Sequence, residues 1–244
     1  TSMQPELTDL LDDAANAGIT CHALMSENTW ALAENHARGL AKVSDILTYN
    51  RSLTGSGRIT GIHLDVEVHS LDEFKTAKRN VFTDPEALAT IQDLLGQWLD
   101  FVEQVTLMAR AEQTPLTVSC VVPQWFMKDG SPYNLVWKGV DRNVTDHLLR
   151  IVDEVVVLAY YYKPLSIAKR AREEIAAAAA AGTGSVRVAV NVSHKSVPTE
   201  TLWAGGLEAM EIALADIQAT YAGSISYSGT AIHMAESLRL LITE

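Results

Sequence analysis

The sequence predicts an α/β fold, and within that class a TIM-type (β/α) barrel that lacks its first strand or two. Three observations carry the prediction. Helix-like and strand-like periodicities alternate along all 244 residues, as they do where βα units build a parallel sheet. The segment Glu154 to Tyr160 is nearly all apolar, as a strand covered on both faces is. Polar and aromatic residues recur just past the C-terminal ends of different strands, where a barrel gathers its site. An open doubly wound sheet, the rival, gathers such groups at one switch point. The length suits one barrel-like domain over 1–244, with two smaller domains as the other division.

Each element follows from a local signal. Pro5 to Ala17 reads as a helix with a Leu7, Leu10, Leu11, Ala14 stripe and Gly18 as its stop. Ile19 to Met25 reads as a buried strand running into the polar loop Ser26 to Trp30. Ala31 to Tyr49 is helical, with Leu40, Val43, Ile46 and Leu47 at core spacing. After a glycine-containing loop, Ile59 to Val68 is a strand, and Ser70 to Asp84 a polar connection. Asp84-Pro85 opens a long helix to about Glu112, with Asp84 as N-cap and Pro85 in the first turn. Leu116 to Val122 is the third strand, 128–142 is turn-rich, and Asn143 to Ile151 is a short helix. Glu154 to Tyr160, Val186 to Val192 and Ile225 to His233 are the remaining strands. Ser166 to Ala181, closed by Gly182, and Leu207 to Tyr221 are the helices between them. Six strands are two short of an eight-stranded barrel.

Composition narrows the function. Apolar residues make up 48% of the chain, enough for a substantial core. No apolar run reaches the ~18 residues of a transmembrane helix, so a soluble protein is expected, with its compartment open. The net charge of −11 without a basic cluster argues against nucleic acid and anionic membrane as partners. No signal peptide is visible, though a mature secreted form is compatible with that, and Thr1-Ser2 before Met3 reads as a remnant ahead of the natural start. Cys21 and Cys120 each sit in an apolar segment and read as two buried thiols. Asn50, Asn143 and Asn191 fit the short glycosylation pattern. No glycine-rich nucleotide loop follows a strand, and no cofactor is implied. His63, His69, His194 and His233 lack metal-ligand spacing, so no metal site is expected. The flanks of a six-stranded sheet invite pairing, so a homodimer is compatible.

The chemistry concentrates on Gly61 to Ser70. Ile62, Leu64, Val66 and Val68 alternate with His63, Asp65, Glu67 and His69, which puts every ionisable group on one strand face. Asp65 and Glu67 then share a face with Cα atoms roughly 6.5 Å apart. Neighbouring carboxylates resist joint ionisation, so one is expected to hold its proton, as a general acid must. His63, one step deeper, is placed to exchange a hydrogen bond with the pair. A solvated strand face is the structural alternative. His63 and His69 on this face, with Glu27, Trp30, Gln124, Trp125, Asn191 and His233 from the other strand ends, are the candidate substrate-binding groups; Tyr160 is a candidate beside the acids, and Tyr161, Tyr162, His194 and Glu236 lie near them. Carboxylates, amides and imidazoles among aromatic faces suit a sugar cleft, and other polar ligands too. Taken alone, His233 reads as a hydrogen-bonded core or rim histidine, Tyr161 and Tyr162 as loop aromatics, Trp98 and Trp203 as packing.

Gly61-Ile-His-Leu-Asp-Val-Glu67 resembles the fourth-strand signature Asp-Gly-x-Asp-x-Asp-x-Glu of glycoside hydrolase family 18, the chitinase-like barrels. Gly61, Asp65 and Glu67 match; Thr60 and His63 replace the first two Asp residues. Leu158-Ala-Tyr160 resembles the family's Met-x-Tyr-Asp, with Tyr161 in place of the Asp. A looser likeness, to bacterial chitinase-like barrels of undefined activity, extends over most of the chain. Those tend to carry Gly-Ile-His-x-Asp-x-Glu-Pro-His and Ala-x-His; here Val68 replaces the Pro and Ala231-Ile-His233 fits the second. The resemblance implies that Glu67 protonates the glycosidic oxygen of a β-linked, N-acetylated sugar. It implies that Asp65 orients the 2-acetamido group, whose oxygen attacks the anomeric carbon, and that Tyr160 hydrogen-bonds that oxygen. Trp125 or Trp30 would floor the sugar. His63 in place of a carboxylate that helps cycle Asp65 is the main departure. A catalytically silent carbohydrate-binding barrel, and a barrel enzyme using Glu67 as a base on a non-sugar ligand, are the alternatives.

Overall fold

The computed structural model describes residues 4–128 and 130–243; the Thr1-Ser2-Met3 reading lies outside the described residues. The fold is α/β, with a six-stranded parallel sheet whose strand order follows the chain. The six strands are Cys21–Met25 (β1), Ile59–Leu64 (β2), Thr117–Pro123 (β3), Glu154–Leu158 (β6), Ser185–Asn191 (β7) and Tyr227–His233 (β8). Sequential order is what successive right-handed βα crossovers produce, and it lacks the order reversal of a doubly wound sheet. The contacts divide into two units, 1–120 and 121–244.

In the first unit β2 pairs in parallel with β1 and β3. Asp84 caps helix Pro85–Arg110 (α4) by accepting the Glu86 N–H at 2.9 Å. The apolar stripe of α4, Ile91, Leu95, Trp98, Leu99 and Val102, is fully buried. Helix His36–Ser52 (α2) packs on α4, and Gly39 is required there: a Cβ would lie 2.6 Å from the Phe101 ring. Helix Gln4–Asn16 (α1) forms where its Leu stripe predicts, yet only Leu11 is buried; Leu7 and Leu10 are exposed.

Several boundaries differ from the sequence reading. The β2 strand stops at Leu64, because its neighbour β1 turns away after Met25, which takes the last ladder bond from the Asp65 N–H at 2.8 Å. Val68–Ser70 is a short 3-10 turn, although Val66 and Val68 remain fully buried. Within the 70–84 connection a helix forms, Asp72–Lys78 (α3), burying Phe74 and Ala77. The second helix starts at His36, not Ala31, after two 3-10 turns.

In the second unit β7 pairs in parallel with β6 and β8. Val121, Val156 and Ala189 form a buried cluster with Leu158, Tyr160 and Ala231 packed against it. The 128–142 stretch holds an antiparallel hairpin, Asn134–Trp137 (β4) and Val140–Asn143 (β5), joined at Lys138-Gly139, both with positive φ. That backbone suits the twist of a tight hairpin. Helices Val144–Ile151 (α5), Arg172–Ala181 (α6), Gly206–Tyr221 (α7) and Ala235–Thr243 (α8) complete the unit. The α6 helix begins at Arg172, not Ser166, because 3-10 turns occupy 164–171. Strand β6 ends at Leu158, which leaves Tyr160 beyond it. Cys120 is buried and Cys21 half-buried, neither in a disulfide among the described residues; burial, reinforced by the Asp65 charge, pushes the Cys120 thiol far up. Among the described residues no helix is long and apolar enough to cross a membrane.

Candidate active site

The segment after β2 is held by its own side chains. Asn28 Oδ1 accepts the Glu67 N–H at 2.8 Å, replacing the bond that a neighbouring strand would have made. The Ser70 hydroxyl donates to Glu67 Oε2 at 2.7 Å, and the Ser70 N–H to the Glu67 carbonyl at 2.9 Å. His69 Nε2 stands 3.8 Å from the same Oε2. Burial holds the His69 ring below its usual range, with Lys78 and Lys75 adding to the effect against the pull of Glu67. A neutral imidazole therefore faces the carboxylate at neutral pH. Glu67 Oε1 makes no hydrogen bond among the described residues, and the side chain is 28% exposed. One oxygen is thus fixed and the other is not.

Asp65 is half-buried at the end of β2 and close enough to Cys120 to raise its thiol. His63, one step deeper, meets Ser119 across the β2–β3 pair: Nδ1 and the hydroxyl oxygen are 2.8 Å apart. That bond ties His63 into the sheet. Glu27 caps the 3-10 turn Asn28–Ala31, accepting from the Thr29 N–H at 3.2 Å and hydroxyl at 2.8 Å, and these bonds lower its pKa. Trp30 lies 6.4 Å from the Phe101 ring centroid and touches the Gly39 position. Both residues are therefore engaged in organising the loop after β1.

The second unit has its own set of residues past strand ends. Tyr160 and His233 stack, with centroids 5.7 Å apart and planes 29° from parallel. Gln124 Oε1 accepts from the Arg170 guanidinium, which lies 3.7 Å above the Tyr161 ring. Trp125 packs edge-on to Phe126 at 4.8 Å and beside Tyr133 at 5.1 Å. Asn191 is buried, its amide shared between the Ser193 N–H and the Ser196 hydroxyl, so it shapes the loop after β7. His194 Nδ1 meets the Ser237 hydroxyl at 2.8 Å, and its ring lies 5.4 Å from Trp203. The amides of Asn50, Asn143 and Asn191, the three glycosylation-pattern residues, all donate hydrogen bonds within the protein.

Sequence reasoning missed Arg170, Ser70 and Asn28. Ser70 and Asn28 carry no strand-end signal of their own. Arg170 lies within a 3-10 turn, Ala168–Ala171, rather than at a strand end, although four cations and no acid between 159 and 172 mark its loop. A cavity of about 790 Å³ opens at the opposite, N-terminal ends of β2 and β3, lined by Asn50, Arg51, Arg58, Ile59, Glu112 and Leu116 among others. Its Arg51 is paired with Glu112 at 2.6 Å, and Arg58 donates to the Gly55 and Gly57 carbonyls. The candidate residues lie past the C-terminal strand ends, the side on which parallel α/β sheets bind ligands.

No protein-family model matches the chain, and no curated protein matches it. Among solved structures the chain is similar to Proline Utilization A (PutA) from Corynebacterium freiburgense, at 12% identity and a TM-score of 0.47. The match covers 97% of this chain and 26% of that one, so this chain spans about a quarter of that protein's length.

Proposed function

We propose that this chain is a chitinase-like, barrel-type glycoside hydrolase acting on a β-linked, N-acetylated glycan, with Glu67 as general acid and Asp65 as its partner. The observation that carries the reading is the state of the Glu67 carboxyl group. Ser70 fixes Oε2 at 2.7 Å, while Oε1 is free of hydrogen bonds among the described residues on a side chain that is 28% exposed. A general acid needs one positioned oxygen within reach of the leaving group and no permanent cationic partner. In support, Ser70 positions one oxygen of Glu67, and the basic neighbour that faces it, His69, is kept neutral by burial. Asp65, like Glu67, is half-buried in the alternation of buried and half-buried residues that continues past β2, and the chitinase-like pattern gives it the role of orienting the acetamido group. The test is hydrolysis of an N-acetylglucosamine oligomer by wild type and Glu67→Gln. The substitution keeps the Ser70 bond and removes the transferable proton. Turnover is expected to vanish with the melting temperature unchanged; an equal rate in the variant removes the proposal.

The second reading, a barrel that binds carbohydrate without cleaving it, is favoured by His63. The chitinase-like pattern puts a carboxylate there, and here a histidine is bonded to Ser119. It predicts glycan binding that survives Glu67→Gln, with no hydrolysis by the wild type.

A further inference from the structure

The loop after β6 is unlike the rest of the protein. The chain carries a net charge of −11, yet Lys163, Lys169, Arg170 and Arg172 fall within residues 159–172 with no acid among them. Arg170 is half-buried. Its guanidinium carbon lies 3.7 Å from the centre of the Tyr161 ring, and its Nη1 donates to the Gln124 carbonyl oxygen. Its Nε is sealed from solvent without a hydrogen bond. Among the described residues no carboxylate pairs with it. With Nη1 given to Gln124 and Nε sealed, Nη2 of this partly desolvated guanidinium, which has no counter-ion among the described residues, is the group left to take an anion. Beside it, Tyr161 and Tyr162 pack with centroids 4.7 Å apart. Tyr162 is exposed, and Lys163 lies 5.3 Å from its ring. The loop follows a strand's C-terminal end, where parallel α/β sheets take their ligands.

We propose that this loop is a binding site for a carboxylated sugar, with Arg170 reading the carboxylate and Tyr162 offering a face to the ring. The sugar half of this inference rests on the carbohydrate reading above; the anion half does not. It adds to the N-acetylated glycan of that reading a preference for a carboxylated sugar, so that a neutral chitin-type oligomer binds and an acidic one binds more tightly.

The test is calorimetric titration of the full chain with an oligosaccharide alternating glucuronic acid and N-acetylglucosamine, and with the same oligosaccharide after reduction of its carboxyl groups. The acidic form is expected to bind at least about tenfold tighter. Arg170→Gln is expected to bind both forms alike. Arg170→Lys, which keeps the charge and most of the stem, is expected to retain only part of the preference, and it decides the matter if the Gln variant does not fold. Equal binding of the two forms by wild type, or an undiminished preference in either variant, overturns the anion site while leaving the carbohydrate reading intact. Binding of neither form overturns both.

Discussion

Glu174 offers the most quantitative test of the structure. It lies on α6 with 1% of its surface exposed, and among the described residues no other residue donates a hydrogen bond to either carboxyl oxygen. Burial pushes its pKa up to about 8 from an ordinary 4.5, against the pull of its own backbone N–H and with help from the charge of Glu173. Folded protein therefore holds a proton that the unfolded chain releases anywhere between these two values. Stability is fully present below about pH 4.5 and is lost as pH rises through about 8. Each unit of difference is worth about 1.4 kcal/mol, so the whole excursion is on the order of 5 kcal/mol. Glu174→Gln keeps the shape and cannot ionise. Urea unfolding followed by tryptophan fluorescence, from about pH 5 to about pH 8, should show the wild type losing roughly 4 kcal/mol more than the variant. The two should be similar at the acid end, with the variant the more stable at the alkaline end. Parallel curves, or a variant less stable at every pH, would refute both the burial and the missing partner.

Three further outcomes follow from the packing and the site. Gly57→Ala places a Cβ 2.2 Å from the Leu11 backbone, which cannot yield as a side chain can, and should cost at least about 2 kcal/mol in urea unfolding. Gly96→Ala, mid-helix in α4 with open space around its Cβ, should instead stabilise by up to about 1 kcal/mol. Removing the cap in Asp84→Ala should cost about 1 kcal/mol by the same assay.

The parallel α/β class, the long α4 helix with its cap, and the helix–strand alternation were legible because their signals are local: a periodic stripe, a capping pair, an apolar run. The end of β2 was not. Alternation of buried and open residues continues from Ile62 through Val68, but pairing ends where β1 turns away, and a neighbour's path cannot be read from the strand's own residues. The hairpin at 134–143 was hidden because its turn is Lys138-Gly139 rather than the Asn-Gly pair that usually marks one. The helix at Asp72–Lys78 is only seven residues long, too short for periodicity to speak. In the site, the residue types at the strand ends were readable, but their engagements were not. Glu27 as a cap, His63 tied to Ser119 and Asn191 organising its loop are all facts of approach between segments. Leu7 and Leu10 teach the converse, since a correct helical stripe did not guarantee burial.

The central claim is that Glu67 Oε1 delivers a proton to a glycosidic oxygen, and a rate comparison on one N-acetylglucosamine oligomer reaches it most directly. Wild type should release shortened oligomers, and Glu67→Gln should be slower by at least about a hundredfold while still binding the oligomer. A variant as fast as the wild type, or a wild type that binds and never cleaves, would contradict the account.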